Sequence, residues 1–215
     1  MWPYHHARLH SGGCAGDVLD RVDELALRAA SEWVGSDSVR VRLTITVSED
    51  GESAVDVRQR LSSLDVPGGP IVARVDVSGP RELPRGAAKP ADRAWWDEVQ
   101  RRASIEGAHQ GIAVGPDGSI IDGGTSTVWI VESGRLITPP SPPAVAGAAR
   151  AFVLKASPDA HLAADVAPVS WERFEEADEA FLTNAFGGAV AVRDRGGRVF
   201  QTVSAMFAEL WSSVS

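Results

Sequence analysis

Apolar positions along the chain change period several times, and each change marks a predicted element. Over residues 17–34 they recur at three- and four-residue steps (Val18, Val22, Leu25, Ala29), the spacing of one helical face; Asp17 is placed to cap its start and Gly35-Ser36-Asp37 to end it. Over 39–47 the step falls to two. Val39, Val41, Leu43, Ile45 and Val47 alternate with Arg40, Arg42, Thr44 and Thr46, as in a half-buried strand. Residues 70–77 read as a second strand. Residues 79–88, rich in Gly, Pro and Arg and without a period, read as a connector between two halves. A helix is predicted over 91–106 with Trp95, Val99 and Arg102 on one side. Short strands follow at 111–114, from 119, at 127–131 and at 135–137, separated by Pro116-Asp117-Gly118 and Ser133-Gly134 turns. A four-proline loop at 138–143 precedes a helix from about Gly147. Ser170 caps a short helix over 170–177, strands lie at 180–182 and 189–192, and a helix begins near Ser204. Hairpins mixed with helices make the class α+β.

Composition narrows the function. The chain has 215 residues, 44% apolar and 23% charged, with a formal net charge of −8. An acidic surface repels phosphate backbones, so no nucleic-acid partner is expected. Cys14 is the single cysteine, which leaves no intrachain disulfide and fits a reducing cytosol. The Met1-Trp2-Pro3-Tyr4-His5-His6 start has no signal-peptide core, and no apolar run approaches the ~18 residues of a membrane span, so a cytoplasmic protein without a membrane partner is expected. His5, His6 and His10 suggest a metal, yet no matching acid cluster follows, and none is expected. Lys89 and Lys155 are the only lysines, so chemistry that needs a side-chain amine has two candidates. Trp95 and Trp96 read as core or interface.

Several segments then align with one family. His5-His6-Ala7-Arg8-Leu9 resembles the H-x-x-R-L run of fold type IV pyridoxal phosphate (PLP) enzymes. Lys89-Pro90-Ala91-Asp92-Arg93 resembles the K-x-x-N-R segment of aminodeoxychorismate lyases. The stretch from Asp117 through Asp122-Gly123-Gly124 to Ser126 resembles D-x-G-x-V-x-E-G-x-x-S. Arg135-Leu136-Ile137-Thr138-Pro139-Pro140 is similar to an L-x-T-P-P loop, Gly147-Ala148-Ala149-Arg150 to G-I-T-R, and the run from Ala177-Asp178-Glu179 to Asn184-Ala185 to A-D-E-x-x-x-x-N-A. The chain thus resembles the class IV aminotransferase family, most nearly its aminodeoxychorismate lyases.

The resemblance implies a fold type IV (D-amino-acid aminotransferase-like) architecture of two small α/β halves. The N-terminal half, 1–84, is expected to be reduced or truncated; residues 85–215 form the PLP-binding half. It implies Lys89 as the catalytic amine that carries PLP, with Asp122 paired to the pyridine nitrogen. Arg8 and the Ala148 and Ala149 amides take the phosphate, and Arg93, Asn184 and Ala185 complete the cofactor contacts. A buried carboxylate stabilises a protonated ring nitrogen, an arginine fork and a helix N-terminus suit a phosphate, and burial beside cations favours a neutral, reactive amine. The implied activities are pyruvate elimination from 4-amino-4-deoxychorismate or transamination of a small amino acid, in a homodimer. The alternative is a catalytically impaired relative kept as a binding or partner protein. Four positions depart from the family pattern: Asp122 for glutamate, Ala148-Ala149 for Ile-Thr, Thr127 for asparagine, and Val47-Ser48 for Arg-Gly.

Overall fold

The computed structural model describes residues 1–32, 41–47, 53–59, 64–83, 85–90 and 92–212. Helices α1 (Trp2–Ser11) and α2 (Gly16–Ser31) open the chain, followed by an antiparallel hairpin of β1 (Val41–Val47) and β2 (Ser53–Gln59). Asp17 lies in the first turn of α2 and Ala15 takes the cap position, where the acid still favours the positive helix end. The predicted Gly35-Ser36-Asp37 stop, the Val39-Arg40 strand start, Ser48 and Ala91 lie outside the described residues. Neither α1 nor β2 has a period that announces it: α1 buries no residue fully, and Ala54, Val55 and Asp56 of β2 are exposed.

A three-stranded sheet of order β3-β4-β5 comes next, from β3 (Val72–Asp76), β4 (Gln110–Val114) and β5 (Ile120–Gly123). β3 and β4 are parallel, so the chain must cross over between them, and α3 (Ala94–Ile105) lies on that crossover. This pairing carries one sheet across the 84/85 division between the expected halves. The buried stripe of α3 is Trp96, Val99 and Ala103 rather than Trp95, Val99 and Arg102. Arg102 stays exposed and donates to the Asp76 carbonyl at 2.8 Å. Close approach is the reason: a Cβ on Gly111 would lie 2.6 Å from the Val99 carbonyl and 3.1 Å from Ala103, so β4 seats against the small residue of the helix.

Between β4 and β5 the register shifts. Val114 faces Ile120 and Ala113 faces Asp122, leaving Ile121 as an extra residue. Such a bulge re-aims side chains. Ala113 and Ile121 both belong to the cluster formed with Val99 and Ala103 of α3, so Asp122, opposite Ala113, is on the helix side of the sheet.

The larger sheet has the order β10-β9-β6-β7-β8, made from β6 (Thr127–Glu132), β7 (Arg135–Thr138), β8 (Ala164–Val166), β9 (Glu179–Asn184) and β10 (Gly188–Ala191). Both its faces are covered, and the alternation along β6 shows how. Val128 and Ile130 join Leu182 with Ile112, Val114 and Ile120 of the small sheet. Trp129 and Val131 join Phe181 with Phe152 and Val153 of α4 (Ala148–Ala156) and Val203 and Phe207 of α6 (Arg198–Ser212). The layers are therefore α3, small sheet, large sheet, then α4 with α6, and Tyr4 of α1 meets Phe152 edge-on at 5.8 Å. Ser170 caps α5 (Trp171–Glu176) as predicted, accepting from the Arg173 N–H at 3.2 Å. Glu179 is structural: its carboxylate accepts from the Val199 and Phe200 N–H groups at the start of α6, at 3.0 and 2.8 Å.

Candidate active site

β5 passes into β6 through a tight turn, and this turn carries the chain from one sheet to the other. The Gly123 N–H donates to the Ser126 carbonyl at 3.1 Å, and a Cβ on Gly123 would lie 2.4 Å from that oxygen, so only glycine fits. Asp122, just before the turn, is 6% exposed. One carboxylate oxygen accepts from the Gly123 N–H at 3.0 Å and the other from the Val145 N–H at 3.0 Å. Burial pushes this carboxyl up to about 7, opposed by the Val145 and Gly123 donors, the Trp96 indole and the positive charge of Lys89. The Trp96 N–H comes close enough to favour the anion, short of a hydrogen bond of normal geometry.

Lys89 approaches from the other flank. A single 3-10 turn, Arg85–Ala87, offers the Ala87 carbonyl to the Ala146 N–H at 2.8 Å. Adjacent residues thus tie the two sides together: Val145 holds Asp122, and Ala146 holds the segment leading to Lys89. The Lys89 side chain is exposed. The burial expected to neutralise its amine is therefore not supplied by the packing of the chain itself.

α1 docks on the same segment. A Cβ on Gly86 (φ +67°) would meet the Ser11 carbonyl at 2.7 Å, and one on Gly12 would meet the Ala88 Cβ at 3.0 Å. This brings Arg8 and His5 near Lys89. The Arg8 guanidinium lies 3.3 Å from His5 Nδ1, and as it can only donate, that nitrogen accepts. Burial first, then Arg8, the amino terminus and Lys89, push the imidazole down to about 4, so His5 is neutral at pH 7. Burial also lowers Arg8, which remains a cation. His6 turns instead to Asp23, at 3.4 Å. Among the described residues no group of three or more His, Cys, Asp or Glu is arranged to hold a metal ion.

The N-terminus of α4 lies just beyond Val145-Ala146. Gly147 caps it with no side-chain bond, Ala148 and Ala149 are buried, and a Cβ on Gly147 would meet the Thr127 hydroxyl at 3.0 Å. Its first N–H groups and the positive end of the helix suit an anion. Asn184 closes the far side of this region. Its carbonyl oxygen accepts from the Phe186 and Gly187 N–H groups, and its amide reaches the Thr125 carbonyl at 3.4 Å. The side chain thus builds the β9–β10 turn and ties it beside the β5–β6 turn, with Ala185 inside it. Arg93 is likewise engaged, donating to the Gly124 carbonyl at 3.0 Å and lying 5.8 Å over the Trp96 ring.

The structure adds three groups that the sequence reading did not assign to the site. Among the described residues, the buried side-chain polar atoms without a hydrogen-bond partner are Trp96 Nε1, Ser126 Oγ and Arg150 Nε. Each has a link to Asp122. Trp96 favours its anion, Ser126 closes the Gly123 turn, and the charge of Asp122 supports the half-buried Arg150 cation. A buried polar atom left unpaired costs about 1–3 kcal/mol. Ser126 Oγ and Arg150 Nε, left unpaired near the start of α4, fit a polar, anionic ligand, while the Trp96 N–H lies toward Asp122 itself. Ser126 and Arg150 were within the recognised motifs, while Trp96 carried no sequence signal beyond its bulk.

The Amino-transferase class IV family matches residues 2–194. The chain belongs to this family. A Thermotoga maritima protein assigned as a branched-chain-amino-acid aminotransferase is 31% identical over 157 residues, covering 71% of this chain. The match spans 56% of that relative, so the chain accounts for little more than half its length. Among solved structures, the branched-chain amino acid aminotransferase from Escherichia coli superposes with a TM-score of 0.75 at 21% identity, over 96% of this chain and 77% of that one. An aminotransferase from Brucella abortus bound to the cofactor PLP superposes with a TM-score of 0.70 at 18% identity, over 90% of this chain and 76% of that one. These likenesses establish the fold type IV architecture.

Proposed function

We propose that this class IV aminotransferase binds PLP and transfers the amino group of a small amino acid. Bound PLP supplies the electron sink that loosens bonds at the substrate α-carbon. Lys89 is the catalytic amine, holding the cofactor covalently and moving a proton at that carbon. The other lysine, Lys155, lies in the last turn of α4, 5.9 Å over the Tyr4 ring. Asp122 holds the positive charge at the ring nitrogen. Arg8 and the first amides of α4, at Ala148 and Ala149, take the phosphate, and Ser126 and Arg150 supply nearby donors. Arg93, Asn184 and Ala185 act by shaping the turns around the cofactor. Residues 85–215 supply the acid, the amine and the helix end, and 1–84 supply Arg8. A homodimer is part of the proposal.

The observation that carries this reading is the bracketing of Val145-Ala146. A buried acid bonds one of these N–H groups, the segment bearing the exposed lysine accepts from the other, and the charge of Lys89 reaches Asp122. Reconstitution with PLP tests it. The expected result is a visible absorbance band that borohydride removes and that Lys89→Ala lacks. A colourless protein that takes up no PLP sinks the proposal in favour of an impaired relative. A second reading, pyruvate elimination from 4-amino-4-deoxychorismate, is favoured by Arg93 and the Asn184-Ala185 pair. An amino donor alone converts the cofactor to its amino form in a transaminase, whereas a lyase releases pyruvate.

A further inference from the structure

We infer that Trp96 is a positioning residue for Asp122: its buried indole N–H is a third donor to that carboxyl and holds it ionised and oriented toward the ring nitrogen. The inference rests on the role proposed above for Asp122. Trp96 is 3% exposed, and its Nε1, lacking a partner of normal geometry, lies near enough to favour the Asp122 anion. The bulge at Ala113 turns Asp122 to the side of the sheet that α3 covers, and Trp96 is the buried residue of the first turn of α3. The other two donors, from Gly123 and Val145, are backbone groups fixed by the turn and the loop.

The indole is itself braced. Trp95 packs edge-on against it at 5.2 Å, and Arg93 lies over it while bonded to the Gly124 carbonyl. Gln100, one turn further along α3, accepts from the Gly111 N–H at 3.3 Å and donates to the His109 carbonyl at 2.8 Å. A Cβ on Gly124 would meet Gln100 at 3.2 Å and the Trp96 carbonyl at 3.4 Å. Helix and turn are therefore locked together, so the indole cannot be withdrawn without moving the turn that follows the acid. An aspartate reaches one methylene less far than the glutamate of the family pattern, and a rigid third donor fixes the direction in which the shorter acid points. It also opposes burial, which favours a neutral carboxyl unable to balance a ring cation.

The cofactor-free protein supplies the first test. The Trp96 indole 1H–15N resonance, identified by its loss in Trp96→Phe, is expected to move with pH at the midpoint of the Asp122 carboxyl infrared band, and to stand still in Asp122→Asn. In Trp96→Phe that infrared midpoint should rise by roughly one pH unit, the scale of one charge-assisted hydrogen bond. With cofactor, Trp96→Phe should weaken PLP binding about tenfold, the equivalent of one such bond, and leave binding of the 1-deaza analogue, which has no ring nitrogen, unchanged. A pH-independent indole resonance, an unmoved midpoint, or equal weakening of both ligands overturns the inference. If the wild-type chain takes up no PLP, the cofactor reading fails, and the two cofactor-free measurements still decide between Trp96 and Asp122. If Trp96→Phe does not fold, the wild-type titration and Asp122→Asn decide it.

Discussion

The acid side and the amine side of the site are built in opposite ways. Asp122 sits within a sheet, 6% exposed, with donors from its own turn, from the Val145 loop and from α3 around it. Lys89 stands past a single 3-10 turn with its side chain exposed, and its segment is fastened through the Ala146–Ala87 bond and the seat of α1 on Gly86 and Gly12. The contrast follows from the work proposed for each. A carboxylate that balances a fixed charge is most effective when its surroundings leave it no choice of position. An amine that must release one bond and take up a proton needs room to turn.

Substitutions should separate the two sides. Lys89→Ala is expected to lower turnover by on the order of 10²–10⁴-fold or more, while its melting temperature stays close to wild type because the side chain is exposed. A large loss of stability would show that the amine side is also packed into the fold. Asp122→Asn should weaken PLP binding by about ten- to a hundredfold, the loss of one hydrogen bond to a charged group; unchanged affinity in a binding titration would remove the acid from the site. Gly123→Ala acts through the fold. With its Cβ 2.4 Å from the Ser126 carbonyl, it should cost about 1–3 kcal/mol in denaturant unfolding and weaken the cofactor site with it.

The smallest effect concerns pH. Asp122 is pushed up to about 7, so from about pH 4 to 7 the folded, cofactor-free protein holds a proton that the unfolded chain has lost, and stability falls as pH rises. His5 is pushed down to about 4, so between there and its ordinary 6.5 the unfolded chain holds the extra proton, and stability rises with pH. The two slopes oppose each other. Asp122→Asn should therefore leave a stability that climbs over this range, and His5→Gln one that declines, in melting curves taken at matched ionic strength.

Much of the fold was legible because the period of burial is written in the apolar residues. α3, α4, α5 and the strands β6, β7, β9 and β10 of the large sheet lie close to their predicted ranges. What escaped had no such stripe. α1 buries nothing fully, the polar β2 has three exposed residues in its middle, and β8 is only three residues long. The helix face of α3 was one position off because the choice between Trp95 and Trp96 depends on Gly111, which sequence spacing does not reveal. At the site, the motifs led to the segments that the structure brings together around Asp122. They did not tell that Arg93 and Asn184 spend their hydrogen bonds on neighbouring turns, or that a tryptophan in the core leaves its buried N–H without a partner of normal geometry.

The extra residue in β5 also sets the parity of the strand. Counted in twos, the side chains of Ile120 and Asp122 belong on one face; one uncompensated isoleucine at 121 reverses that count, and the acid emerges beside Ala113 on the other. The separation in sequence between Lys89 and Asp122 is therefore more than a length of chain. Were the strand to run on in step from Ile120, Ile121 would stand opposite Ala113 and Asp122 opposite Ile112, leaving an isoleucine at the one place where the proposed role needs charge.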